Sequence, residues 1–294
     1  MKIGSPMDRR QFLSATVGAA ATVGYVGTTE AAVDAELQKQ SGRVDGVVRF
    51  EGGSVEPTSG RAHENVVREL RERAATTQQE VVDFVDDSTG IEVRRQFWLT
   101  NALLVTVDTD RASFGDLAAL DGVDRIHRTT AETSERVTAP NETSSAVSGV
   151  AQDRSVSYGL EMMNVPAVWE RFDTRGEGAT VAVIDTGVDA SHPDIDLDGW
   201  AEFDAEGNRV DSDPYDRGGH GTGMSSLATG GDASGTQIGV APDADLLVAT
   251  HDAEDFLTSA WAALEWAVEN GADAVSMSFD IGPLQHAAIE AVTN

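Results

Sequence analysis

The sequence predicts two folded units in series, a small α+β unit followed by an α/β unit built on a parallel sheet. Three observations carry that prediction. Between residues 42 and 130, segments of two-residue apolar alternation are interleaved with segments of helical spacing. Beyond residue 156, strands expected at Ala179 to Ile184, Ala244 to Ala249 and Asp273 to Ser278 alternate with helical stretches, as βαβ units do. Between the two regions, from Thr129 to Val156, the chain is rich in Ser, Thr, Glu, Asn and Ala and has no apolar period, which reads as an exposed linker. A chain of 294 residues is long enough for two real cores.

In the first unit, Val44 to Phe50 alternates like a half-buried strand and Gly52-Gly53 ends it. Val66, Leu70 and Ala74, then Val81, Val82 and Val85, fall at helical spacing and predict one long helix or two short ones up to Asp87. Ile91 to Leu99 and Ala102 to Val107 read as strands, Phe114 to Leu120 as a short helix, and Val123 to His127 as a last strand. The order strand, helix, strand, strand, helix, strand is that of the split ferredoxin-like motif. His127 reads as a surface histidine at a strand end.

In the second unit, the apolar run Ala179 to Ile184 breaks into Asp185-Thr-Gly187, placing a carboxylate at the carboxyl end of a buried strand, where open α/β sheets carry their ligands. Asp before Thr-Gly is also ordinary turn chemistry. Gly218-Gly219 frees the backbone ahead of His220, and Gly221-Thr222-Gly223 turns the chain into the helical segment Met224 to Thr229. A histidine opening a helix can meet a strand-end carboxylate. Such a carboxylate holds the imidazole in one tautomer and stabilises the imidazolium formed when it takes a proton. A longer helix is expected from Asp255 to Asn270, with Leu257, Trp261, Leu264 and Val268 along one face and Gly271 as its stop. Trp261 and Trp266 read as packing residues rather than a substrate platform.

Composition narrows the partners. Asp and Glu number 50 against 21 Lys and Arg, a net charge of −29, and the only lysines are Lys2 and Lys39. Such a chain repels nucleic acid and anionic membrane. The acids are dispersed among good apolar patterns, which reads as a hydrated acidic shell suited to high salt, where screening removes self-repulsion. There is no cysteine, which excludes disulfides, thiolate catalysis and cysteine-ligated zinc. Near the start, Asp8-Arg9-Arg10-Gln11-Phe12-Leu13 precedes a mildly apolar run from Ala15 to Gly27, too short and too weakly hydrophobic to span a bilayer stably. This resembles a twin-arginine export signal and implies a secreted protein.

Val-Ile-Asp185-Thr-Gly with His192-Pro-Asp194, followed by Gly219-His220-Gly-Thr, resembles the aspartate and histidine motifs of the subtilisin-like serine proteases, in which Asp precedes His and Ser comes last. Tyr158 to Trp169, Gly239 to Leu246 and Ala274 to Ser278 resemble further stretches of that family in the same order. The resemblance implies a serine endopeptidase acting on polypeptides, with Asp185 as orienting carboxylate, His220 as general base and acid, and Ser276, Ser278, Phe279 and Asp280 on the strand that pairs with substrate. It implies this division: an export signal over 1–34, a ferredoxin-like propeptide over 35–130 that serves as intramolecular inhibitor, a linker with the maturation site over 131–156, and the N-terminal part of the protease domain over 157–294.

The chain departs from the family pattern in places. Phe279-Asp280 replaces the usual Leu-Gly, Gly223 stands where a second histidine is usual, and Ser226 where glycine is usual. No Gly-Thr-Ser motif is present, so the nucleophile and the oxyanion-hole asparagine are expected outside these residues. No cofactor is required. The loop Gly230 to Gln237 has the length of the family's calcium loop, with Asp232 and Ser234 as candidate oxygen ligands. Two other classes stay open: a non-catalytic homologue whose first unit binds, inhibits or chaperones a protease, and a metal hydrolase using Asp185, His192, Asp194, Asp216 and His220. The acidic shell makes one direct prediction. The melting temperature should rise from dilute buffer to molar salt in thermal scans, and a flat or falling profile would refute the reading.

Overall fold

The computed structural model describes residues 32–51, 63–129, 155–251 and 256–278. Most of the expected export signal, most of the linker, Phe279 and Asp280 lie outside the described residues.

Two short pieces open the first unit, β1 (Ala32–Val33) and a 3-10 turn at Leu37–Lys39. The alternating run follows as β2 (Arg43–Phe50). The apolar spacing from Val66 to Val85 forms a single helix, α1 (His63–Asp86), that buries Leu70, Ala74, Gln78, Val81 and Val85. Next come β3 (Ile91–Phe97), β4 (Ala102–Asp108), α2 (Phe114–Ala118) and β5 (Val123–Arg128). Ser113 starts α2 through a capping box with Asp116, which satisfies two otherwise unpaired amides. The strands assemble in the order β1-β5-β2-β4-β3, antiparallel except for β1 with β5. The pairing of Ala32 and Val33 with Arg125 and Ile126 extends this unit upstream of the expected start at residue 35.

The second unit starts with Ser155 and Ser157, both bonded to the backbone of Gln237, so the linker expected to run to 156 is already tied down there. Then come α3 (Tyr158–Met162), α4 (Val165–Phe172), β6 (Thr180–Asp185), β7 (Gly199–Phe203), β8 (Arg209–Val210), α5 (His220–Thr229), β9 (Asp245–Thr250), α6 (Phe256–Glu269) and β10 (Ala274–Met277). The sheet runs β10-β6-β9-β7-β8, parallel apart from β8. β7 and β8 were not legible in the sequence; Gly199-Trp-Ala-Glu-Phe203 is short and mixed in polarity. One face of this sheet packs Val183, Leu246 and Val248 against Met224 and Ala228 of α5. The other packs Ala182, Ile184, Ala201 and Leu247 against α6.

Helix α6 departs most from expectation. Every residue from Thr258 to Val268 is buried, not one face alone. The second face is covered by the first unit. Trp261 meets Phe97 edge-on at 5.3 Å between ring centroids, and Val47, Leu99, Ala102 and Leu104 complete the same cluster. A helix that is apolar all round is a buried helix. Polar contacts fix the seam: Leu99 N–H donates to Glu265 Oε1 at 3.0 Å, His63 Nε2–H to the Val268 carbonyl at 2.7 Å, and Trp98 Nε1–H to Glu269 Oε1 at 3.2 Å. Arg71 forms an ion pair with Glu269.

His127, expected at the surface, is buried, with its ring edge-on to Trp261 at 6.5 Å between centroids. Its sequence neighbours Arg125 and Arg128 suggest exposure, but the covering residue comes from the other unit. Burial lowers its pKa to about 4, against the opposing pull of its bond to the Arg128 carbonyl. Burial likewise raises Glu265 to about 7 despite the Leu99 N–H and the Arg95 charge.

Two predictions concern this seam. Trp261→Ala should cost about 3–5 kcal/mol in denaturant unfolding. The two titrating groups act in opposite senses. Glu265, raised from 4.5 to about 7, contributes stability that is complete below 4.5 and lost as pH rises through 7. His127, lowered from 6.5 to about 4, contributes stability that is complete above 6.5 and lost as pH falls through 4. Glu265→Gln keeps an acceptor for Leu99 and removes the first dependence. The urea midpoint of that variant should climb with pH up to about 6.5, where the parent, with two opposed contributions, changes less.

Candidate active site

The buried run of β6 delivers Asp185 to the carboxyl end of the sheet, where its side chain is 4% exposed. Asp185 Oδ1 accepts from the Thr186 N–H at 2.7 Å and from His220 Nδ1 at 2.8 Å. A carboxylate oxygen can only accept, so Nδ1 carries the hydrogen and Nε2 is left free to take a proton. His220 is the first residue of α5, and a third of its side chain (33%) is exposed, so a solute can reach the ring while the carboxylate stays behind it. The two residues singled out in the sequence, 35 positions apart, are thus brought into one hydrogen-bonded pair.

Two glycines make this approach sterically feasible. Gly187 has φ +123°, and a Cβ there would overlap the Tyr215 carbonyl oxygen. A Cβ at Gly221 would overlap the Gly187 carbonyl oxygen, so the first turn of α5 rests directly on the Asp-Thr-Gly turn. The 215–217 segment lies along that turn, with Val188 N–H donating to the Tyr215 carbonyl at 2.9 Å and Arg217 N–H to the Thr186 carbonyl at 3.2 Å.

Asp216, which the sequence offered only as a metal-ligand candidate, lies at the centre of this loop. Burial alone would raise its pKa, but the hydroxyls of Thr222 and Thr186 and the N–H groups of Gly218 and Thr222 hold it at about 2. An Asp-x-Gly-Gly run ahead of a helix is the local signal that would have marked it.

Ser276 lies on β10, the edge strand beside β6, opposite Val183. Met277 is opposite Ile184, so Ser278 follows at the level where Asp185 closes β6. In the 230–237 loop, Asp232 and Ser234 are exposed. The buried acid beside that loop is Asp194. Its Oδ1 accepts from the Ser234 N–H at 2.9 Å, and its Oδ2 has no hydrogen-bond partner. His192 accepts at Nδ1 from the Asp194 N–H at 3.2 Å. Among the described residues no group of three or more His, Cys, Asp or Glu side chains is placed to hold a metal ion, and no helix is long and apolar enough to cross a membrane.

An interior strand of a largely parallel sheet thus ends in an aspartate bonded to a helix-opening histidine, an arrangement in which the carboxylate orients the imidazole. Residues 176–292 match the model of the subtilase family, Peptidase S8. The intracellular serine protease of Paenibacillus polymyxa is 34% identical over 157 residues, covering 49% of this chain and 46% of its own. Subtilisin E of Bacillus subtilis is 34% identical over 145 residues, covering 48% of this chain and 36% of its own. The chain thus spans less than half the length of these curated relatives. Among solved structures, fervidolysin from Fervidobacterium pennivorans aligns with 90% of this chain and 41% of its own at 14% identity and a TM-score of 0.49.

The glycine contacts are directly testable by thermal unfolding. Gly221→Ala should destabilise by about 1–3 kcal/mol, because backbone rather than a flexible side chain must move. Gly223→Ala, two residues along the same helix, meets nothing and should stabilise by about 0.5–1 kcal/mol.

Proposed function

We propose that the chain carries the acid–base half of a serine endopeptidase. The observation behind this reading is the 2.8 Å bond between Asp185 Oδ1 and His220 Nδ1 at the carboxyl end of β6. His220 Nε2 takes the proton of a serine hydroxyl as that oxygen attacks the peptide carbonyl, and returns it to the departing amine. Asp185 holds the ring and balances the imidazolium between those two steps. Extended polypeptide pairs with the β10 edge through Ser276 to Asp280. Completing this chemistry needs an attacking serine and an oxyanion donor in addition to the pair described.

The first unit acts as propeptide and inhibitor of the second. The reading draws on its position upstream and on its burial of one face of α6. A twin-arginine signal over the first 34 residues sends the protein out of the cell, where the acidic surface meets high salt. A calcium ion at the 230–237 loop would need several oxygen ligands, of which Asp232, Ser234 and the neighbouring Asp194 Oδ2 are candidates, and would brace the loop rather than take part in the chemistry. The first unit's burial of one face of α6 is equally compatible with a second reading, a non-catalytic homologue whose first unit binds, inhibits or chaperones a protease.

Casein and peptide-ester hydrolysis in molar salt distinguish these. Expressed from its full reading frame, the protein should hydrolyse both. His220→Ala should then lower turnover on the order of a millionfold, the loss known for subtilisin when its base is removed. A stop codon directly after Asn294, with no hydrolysis by the native protein, would favour the second reading. A melting temperature unchanged between EDTA and millimolar calcium would remove the calcium proposal.

A further inference from the structure

Helix α5 has no cap of its own. Its cap position is Gly219, which has no side chain to receive the first-turn amides. Two of those amides are nonetheless satisfied. The Gly221 N–H donates to Thr186 Oγ1 at 3.0 Å, and the Thr222 N–H donates to Asp216 Oδ2 at 2.8 Å. The caps are therefore tertiary, and both belong to one network centred on Asp216. Its Oδ1 accepts from the Thr186 hydroxyl at 2.7 Å and from the N–H groups of Gly218 at 3.0 Å and Gly219 at 2.9 Å. Its Oδ2 also accepts the Thr222 hydroxyl at 2.5 Å. The Thr222 oxygen in turn accepts the Asp189 N–H at 2.9 Å.

The donors come from the two elements that hold the site. Thr186 directly follows Asp185 on the turn closing β6. Gly218, Gly219 and Thr222 bracket His220. We propose that Asp216 is a positioning residue for the Asp185–His220 pair, tying the strand end that carries the carboxylate to the helix turn that carries the imidazole. A charge near the amino end of α5 also meets the helix dipole favourably. An ordinary loop-closing aspartate would need only the Gly218 and Gly219 bonds. The bonds to Thr186 and Thr222 are what join it to both halves of the pair.

The role rests on His220 acting as the base, but its test reads the geometry of the ring and not the cutting of peptide, so either idea can fail without the other. The full chain, labelled with 15N-histidine, should show a downfield Nδ1–H resonance for His220, assigned by its loss in His220→Ala. Asp216→Asn keeps the shape but sets an amide against the Thr222 donors. In the folded variant, checked by circular dichroism and a cooperative melt, the Nδ1–H proton should exchange with solvent about tenfold faster or more, as expected for the loss of a charge-assisted hydrogen bond. Thr222→Val should give a smaller increase. A lowered melting temperature with an unchanged resonance would mean that Asp216 only closes the loop, and would overturn the proposal. Should Asp216→Asn fail to fold, Thr186→Val and Thr222→Val carry the test, and unchanged exchange in both would overturn it equally.

Discussion

The contact of two glycines, Gly187 on the strand turn and Gly221 on the helix turn, is the constraint on which the site depends. A hydrogen bond between a strand-end carboxylate and a helix-opening imidazole needs the two backbones closer than side chains would allow. Without a Cβ at Gly221 the helix rests on the turn, without one at Gly187 the Tyr215 carbonyl packs against that turn, and the bond spans what is left. The rest of the loop conforms to that approach: Tyr215 to Arg217 lies along the turn, and the first-turn amides of α5 find their acceptors on neighbouring elements.

Much of this was legible in the sequence because it was written locally. The strands and helices of the first unit have clean apolar periods, and their boundaries fall within a few residues of those predicted. Asp185 and His220 stood out because each has glycines beside it that an ordinary strand or helix would avoid. Their meeting was an inference from spacing and resemblance, and the geometry agrees with it.

What stayed illegible depends on parts of the chain distant in sequence. His127 has polar neighbours, and nothing near it announces Trp261, which belongs to the other unit. Helix α6 has a good apolar stripe, and one stripe is all that periodicity asks for; nothing in it announces that Trp261 meets Phe97 of the first unit while Trp266 and Ala262 pack near Gly199 and Gly207 of the second. Asp216 looks like a turn residue because its two nearest partners are turn amides, while those that join it to the strand end lie 30 residues before it and 6 after. Sheet-edge strands as short as Arg209–Val210 are defined by their partner rather than by their own residues.

The double burial of α6 bears on solubility. The helix has no wet side, so the sheet beneath it and the sheet above it together form its solvent. Removing the upper sheet would present Trp261 and Leu264 to water as a contiguous apolar patch, the kind of surface that draws chains into aggregates. High salt, which relieves the repulsion among the acids, would strengthen that tendency. Near the same surface, Trp261 Nε1 and His127 Nε2 are buried without hydrogen-bond partners, and water would satisfy both on separation. The seam between the units therefore combines an apolar area that resists parting with two polar atoms that favour it.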